Sequence, residues 1–217
     1  MFTVYGVYGS PYFRKVLVVL SEKDLSYEVE NVIPLNVSAE FKKISPLGKI
    51  PAFRDGDKTL PDSSIISAYL EKKHPEKSLY PSDPYEYARA LWFEEYGDTA
   101  LMQVIGAKIF FPKIIGPLFM QKPLDEAGKA AIEKAVAEDL PPLFDYLEGE
   151  LKEGAFLVGD RFTIGDVGIA SPFVNLLIAG YGVDEKRWPK LSRYLKKIWE
   201  RPSFKDVIEK EKKTFSR

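Results

Sequence analysis

The chain has no cysteine among its 217 residues, which excludes disulfides, thiolate metal sites and any mechanism in which a protein thiol is the nucleophile. It has one histidine, His74, too few for a histidine-rich metal site and a poor basis for a serine-hydrolase triad. An excess of one charge is also missing: 31 Lys and Arg stand against 32 Asp and Glu, a formal net charge of -1. No overall field therefore draws the chain to nucleic acid or to an anionic membrane. The first residues carry no basic leader, and the longest apolar run near them, Val16 to Leu20, falls far short of a signal sequence or a membrane span. These absences predict a cytoplasmic protein with no metal, no nucleic-acid partner and no membrane association.

What is present is ample apolar material, 45% hydrophobic residues and 13% aromatic, enough for a substantial core. The first third reads as α/β. "FTVYG" at 2–6 is strand-like, and Pro11 at a first-turn position opens a helix whose Val16, Leu17, Val19 and Leu20 recur at helical spacing. "LSYEVENV" at 25–32 alternates as a second strand, completing a βαβ unit whose natural pairing is parallel. A short helix near 38–44, a hairpin at Asp55-Gly56 and a third helix in "DSSIISAYLEKKHP" follow, with His74 a surface residue at that helix end. Prolines crowd "HPEKSLYPSDPYEY", which predicts a linker at about 75–84. Beyond it the periodicity is helical, at 85–111, 125–152, 163–179, 190–200 and 203–213. Two domains are expected: an α/β domain at 1–77 and an all-helical domain at 85–217. In the second, Thr163 stands three residues before Asp166, a capping-box spacing, with Phe162 as a hydrophobic staple.

Three stretches carry candidate chemistry. In Gly9-Ser10-Pro11 the serine caps the helix that proline opens, and the same hydroxyl could instead serve a ligand. In "LGKIPAF", Ile50-Pro51 directly precedes a strand; an X–Pro bond is trans by default, but a cis bond there would turn the Ile50 backbone outward for pairing with an extended peptide. In "LPDSSIISAYL", Asp62 and Ser63 make an ordinary cap, yet a helix N-terminus with a serine hydroxyl can also hold a carboxylate.

Taken in order, "SPYFRKVLVVL", "FKKISPLGKIPAF", "LPDSSIISAYL" and "FLVGDRFTIGDVGIASPF" resemble the cytosolic glutathione transferases, over essentially the whole chain. The resemblance implies a thioredoxin-like N-terminal domain followed by an all-α C-terminal domain, with glutathione as co-substrate and a homodimer as the assembly. It implies that Ser10 stabilises the thiolate of bound glutathione, as in serine-type classes such as theta and phi. Ile50 would pair through its backbone with the cysteinyl part, Pro51 would be the cis proline, Asp62 and Ser63 would hold the γ-glutamyl end, and Lys49 would reach the glycyl carboxylate. Lys42 and Lys43 rank below Lys49 because adjacent lysines before a loop are usually a solvated face. Tyr5, on the first strand, is the rival hydroxyl, since tyrosine-type classes keep theirs there.

Tyr8, Tyr12, Phe110, Phe111 and Met120 are the candidates for a pocket that receives a small hydrophobic electrophile, each of them equally able to be core. The lack of cysteine excludes the cysteine-type classes of the family. "YGSPYF" does not match the Ser-Ser-Cys run of the maleylacetoacetate isomerase type, and Ser45 stands where many members have asparagine. The leading expectation is a transferase joining glutathione to an apolar electrophile. The alternatives are a non-catalytic ligand carrier or assembly module of the same fold, and a glutathione-dependent dehalogenase or peroxidase.

Overall fold

Four short strands form one mixed sheet in the computed structural model, which describes residues 1–152 and 156–215. The strands are β1 (Phe2–Gly6), β2 (Tyr27–Asn31), β3 (Ala52–Asp55) and β4 (Lys58–Pro61), in the order β2-β1-β3-β4. β1 and β2 pair in parallel, as a βαβ crossover requires, while β3 runs antiparallel to both β1 and β4. The β3–β4 hairpin turns at Gly56, whose φ of +61° suits the Asp-Gly turn. Helix α1 (Pro11–Glu22) makes the crossover, α2 (Ala39–Ile44) follows β2, and α3 (Ser63–Lys73) follows β4.

Helix α1 is buried more completely than a one-sided periodicity suggests: Val16 to Leu20 are all fully buried. The reason is that the sheet does not act alone, because α3 and the last helix, α10 (Pro202–Phe215), also pack on α1. The chain divides into two units, Met1–Tyr80 together with the segment from Pro202, and Pro81–Arg201. Phe204, Val207, Ile208 and Glu211 form one buried stripe of α10 at helical spacing, and that stripe belongs to the N-terminal unit.

Lys23, at the end of α1, is buried and satisfied: its ammonium donates to the carbonyls of His74 (2.8 Å) and Lys77 (2.9 Å) and pairs with Glu71 at 2.7 Å. His74 is half-buried rather than a simple surface residue, its ring edge-on to Phe2 at 5.8 Å.

In the second unit α4 (Pro84–Tyr96) continues without a break through a wider-wound stretch, Gly97–Ile115, into α5 (Gly116–Phe119). Pro112 lies inside this helix rather than ending it. By length and composition alone Pro84–Phe119 is the one described helix apolar enough to cross a membrane, but its buried residues pack on α8 (Ile164–Ile178). The contact is close because both helices offer glycine. A Cβ on Gly97 would lie 2.3 Å from the Gly168 carbonyl oxygen, and one on Gly168 would lie 2.7 Å from Glu94 Cα. Helices α6 (Glu126–Lys134), α7 (Leu140–Glu150) and α9 (Pro189–Trp199) complete the unit.

Candidate active site

The sheet register brings the three candidate loops to one end. Gly6 closes β1 and leads to Ser10; Ala52, the first residue of β3, pairs with Tyr5 near that end of β1; and Pro61, the last of β4, pairs with Ala52. The loop before β3 and the loop after β4 thus emerge beside the loop after β1, and the Asp62 N–H donates to the Pro51 carbonyl at 3.3 Å.

Ser10 is the N-cap of α1, half-buried, in an extended conformation (φ -80°, ψ 121°). Its Oγ accepts from the Phe13 N–H at 3.3 Å, a long bond, and among the described residues the hydroxyl makes no other. Its proton is available to an acceptor. No acidic side chain occupies the first turn of α1, so the partial positive end of that helix is not neutralised from within it.

Tyr5 occupies a different environment. Its ring is 6% exposed and packs in a cluster with Phe41 and Ala52. Its hydroxyl accepts from Arg54 Nε at 2.7 Å. Tyr5 and Arg54 line a cleft of about 580 Å³ beside α2, along with Asn31, Val37 and Phe41, and Ser10 is not part of that lining.

The Ile50-Pro51 bond is cis. Ser45 braces the loop before it: the residue is 1% exposed and its hydroxyl donates to the Lys49 carbonyl at 2.7 Å. A serine can therefore stand where an asparagine is common without loosening this turn. Lys49 itself is exposed, as are Lys42 and Lys43, the latter paired with Glu40.

Asp62 has a φ of +75° and caps α3 with one oxygen only, Oδ1 accepting from Ser64 N–H (2.9 Å) and Ile65 N–H (3.2 Å). Among the described residues its Oδ2 has no partner. Ser63 is 3% exposed, and its carbonyl accepts from the Ser67 hydroxyl at 2.7 Å. An exposed carboxylate oxygen beside a serine at a helix start can hold an ammonium and a carboxylate of one zwitterionic group.

The pocket candidates divide between the units. Tyr8 and Tyr12 are half-buried in the first, Tyr8 edge-on to Phe13 at 5.7 Å. In the second, Phe110 is a core residue at 5% exposure, Phe111 is exposed at 45%, and Met120 is half-buried. Of that trio, Phe111 is the most open to a ligand.

Sequence reasoning missed the group beneath the Ser10 turn. Arg14 and Glu211 are both fully buried and pair at 2.7 Å. Glu211 also accepts from the Gly9 N–H at 3.0 Å.

The comparisons with known proteins agree along most of the chain. Residues 4–78 match the family model described as "Glutathione S-transferase, N-terminal domain", and residues 101–202 match "Glutathione S-transferase, C-terminal domain". A glutathione S-transferase of Hyoscyamus muticus is 30% identical over 95% of this chain and 97% of the relative, and GstB of Escherichia coli K12 is 30% identical over 96% and 98%. Among solved structures, glutathione transferase F2 of Populus trichocarpa superposes with a TM-score of 0.82 at 29% identity, covering 98% of this chain and 100% of that one. A glutathione S-transferase of Methylobacterium radiotolerans, solved in complex with glutathione sulfonate, superposes at 0.76 with 25% identity over 95% and 94%.

Proposed function

The chain belongs to the glutathione S-transferase family, an enzyme family with glutathione as co-substrate, and from that premise we propose that the Ser10 hydroxyl donates a hydrogen bond to the thiolate of bound glutathione, which attacks an apolar electrophile. The observation that carries this reading is the contrast between the two hydroxyls. Each accepts one hydrogen bond and keeps its proton, but Ser10 is half-buried at the start of α1, beside the loops that carry Pro51 and Asp62, whereas the Tyr5 ring is buried against Phe41 and its hydroxyl lies against the Arg54 guanidinium in the cleft beside α2.

The magnitudes suffice. A free thiol has a pKa of ~8.5, and lowering it by ~2 units needs ~2.7 kcal/mol of preference for the thiolate. A hydrogen bond to a charged acceptor supplies ~1.5–3 kcal/mol and a helix N-terminus ~0.3–1 kcal/mol. Ser10 together with α1 meets that requirement without a histidine base. Attack then displaces a leaving group or adds to a conjugated carbon, aided by the proximity of two bound reactants.

The remaining polar groups orient the tripeptide. The Ile50 backbone beside cis-Pro51 pairs with the cysteinyl residue, the partnerless oxygen of Asp62 and the Ser63 hydroxyl take the γ-glutamyl group, and the Lys49 ammonium reaches the glycyl carboxylate. The relative solved with glutathione sulfonate supports a tripeptide site in this fold. Of the apolar candidates for the electrophile, Tyr8 and Tyr12 in the first unit are each half-buried, and in the second unit the exposed ring of Phe111 favours it over the buried Phe110. The assembly we propose is a homodimer in the cytosol.

The pH profile of kcat/KM with an apolar aryl halide tests the reading, because its inflection follows the thiol of the enzyme-bound glutathione. Ser10→Ala should move the inflection up by ~2 units, and Tyr5→Phe should leave it in place. A larger shift in Tyr5→Phe would assign the hydroxyl to Tyr5 instead.

A further inference from the structure

We infer that Glu211, at the far end of the chain, is a positioning residue for the Ser10 hydroxyl, acting by locking one peptide group of the turn that carries it; this inference rests on the function proposed for Ser10. The turn is Val7-Tyr8-Gly9-Ser10, closed by a Ser10 N–H to Val7 carbonyl bond of 3.2 Å. Gly9 has a φ of +97° and Tyr8 is not among the positive-φ residues. That combination defines a type II turn with Gly9 at its third position. The central peptide of such a turn, joining Tyr8 to Gly9, can rotate by about half a turn to reach the type I form with little movement of the chain on either side.

Glu211 holds that peptide. One of its oxygens, Oε1, accepts from the Gly9 N–H at 3.0 Å, and the carboxylate is fixed in turn by Arg14 through Nε (2.9 and 3.1 Å) and a terminal nitrogen (2.7 Å). Arg14 is itself placed by the first hydrogen bond of α1, from its N–H to the Ser10 carbonyl at 2.9 Å. The carboxylate therefore links the peptide before Ser10 to the helical turn after it, clasping the serine from both sides.

Burial makes the clasp stiff. Both side chains of the pair are fully buried, so a rotated peptide would turn the Gly9 N–H away from its buried acceptor and leave Glu211 Oε1 with only the 3.1 Å bond from Arg14 Nε. Two neighbours on α10 reinforce it. A Cβ on Gly9 would lie 2.4 Å from the Phe215 ring, so that ring closes over the glycine, and Lys210 lies above the Tyr8 ring at 6.0 Å. A helix of the last 14 described residues thus shapes the turn that presents the first candidate catalytic group.

The test must separate positioning from charge, since removing Glu211 alone would leave Arg14 as a new cation near the site. Two variants, both neutral at the pair, achieve this: Arg14→Met with Glu211→Met, and Arg14→Met with Glu211→Gln. Only the second keeps an oxygen for the Gly9 N–H. Each is checked for folding by circular dichroism and thermal melting, and the thiolate absorbance of bound glutathione is titrated.

The expected result is a thiol pKa raised by ~1 unit in the double-methionine variant, with at least half of that shift recovered by the glutamine variant. If both fold and titrate within ~0.2 unit of wild type, the inference is overturned. Amide exchange of Gly9 in the wild-type protein is a second readout that needs no variant: slow exchange supports the lock, and exchange at the rate of an open loop contradicts it. Should wild-type bound glutathione titrate like free glutathione, the function proposed for Ser10 fails, whereas the exchange experiment still decides whether Glu211 holds the turn.

Discussion

Three described helices are capped by a hydroxyl residue, α1 by Ser10, α2 by Ser38 and α8 by Thr163, and the starts of α1 and α8 are chemically alike but energetically opposed. At α8, Thr163 and Asp166 form a closed capping box. The Asp166 carboxylate, itself fully buried, accepts from the Leu157 N–H (3.0 Å), the Thr163 N–H (2.8 Å), the Thr163 hydroxyl (3.2 Å) and the Tyr194 hydroxyl (2.9 Å). At α1, Ser10 accepts a single long bond and keeps its proton. The first cap is saturated, so it can only hold structure. The second is unsaturated and half-buried, so it can bind. Residue type does not separate these two caps, but hydrogen-bond saturation does.

Breaking the saturated cap should have the largest effect. Asp166→Ala leaves four donors without their acceptor, three of them buried, and should cost ~3–5 kcal/mol, lowering the melting temperature by ~6–15 °C. Bound glutathione should keep its thiol pKa, which would be read on the same sample below the transition.

Next in size is the reverse pattern at the unsaturated cap. Ser10→Ala should reduce the thiolate fraction of bound glutathione at pH 6.5 by ~50-fold, partly offset by the greater nucleophilicity of the more basic sulfur, for a net loss of ~10-fold in kcat/KM. Its cost in stability should be only ~1 kcal/mol, the usual value of a cap. A stability loss as great as that of Asp166→Ala would remove the distinction between the two starts.

A pH series sharpens the comparison further. Burial pushes the Asp166 carboxyl up to about 6, against the pull of its four donors. The native protein then binds this proton more tightly than the unfolded chain, whose carboxyl titrates near ~3.9, so stability from this group falls as pH rises through that window. Tyr194, its buried partner, has a pKa held well above 10 by burial and by Asp166 and does not titrate there. The stability of wild type relative to Asp166→Asn should therefore increase by ~1 kcal/mol between pH 7 and pH 5, measured by urea unfolding. A flat difference would show that the carboxyl is not held neutral by burial.

The smallest effect belongs to Ser10→Thr. It retains both hydroxyl and cap, and should move the bound thiol by less than ~0.5 unit.

Much of this was legible because it was local. Pro11, the Asp55-Gly56 turn and the serine and aspartate caps announce strands, helix starts and the loops at one sheet end, and the capping box reads directly from its spacing. The Arg14–Glu211 pair was not legible, because its partners are 197 residues apart and a glutamate in "EKEKK" resembles any solvated charge. A signal did exist: Glu211 completes the spacing of Phe204, Val207 and Ile208 on one face, so a charge lies on the apolar stripe.

The Tyr5–Arg54 bond was similarly hidden until the register was known. Tyr5 pairs with Ala52, which places Arg54 two residues on and on the same face of the sheet. The long helix, predicted over 85–111, runs on past Pro112. In the wider winding of Gly97–Ile115 the proline is carried within the helix.

The most direct test of the central claim is a titration of the ultraviolet thiolate absorbance of glutathione bound to wild type and to Ser10→Ala. A wild-type pKa ~2 units below the free value of ~8.5, returning toward that value in the variant, is the predicted result. A depressed pKa that survives the loss of the Ser10 hydroxyl would contradict it.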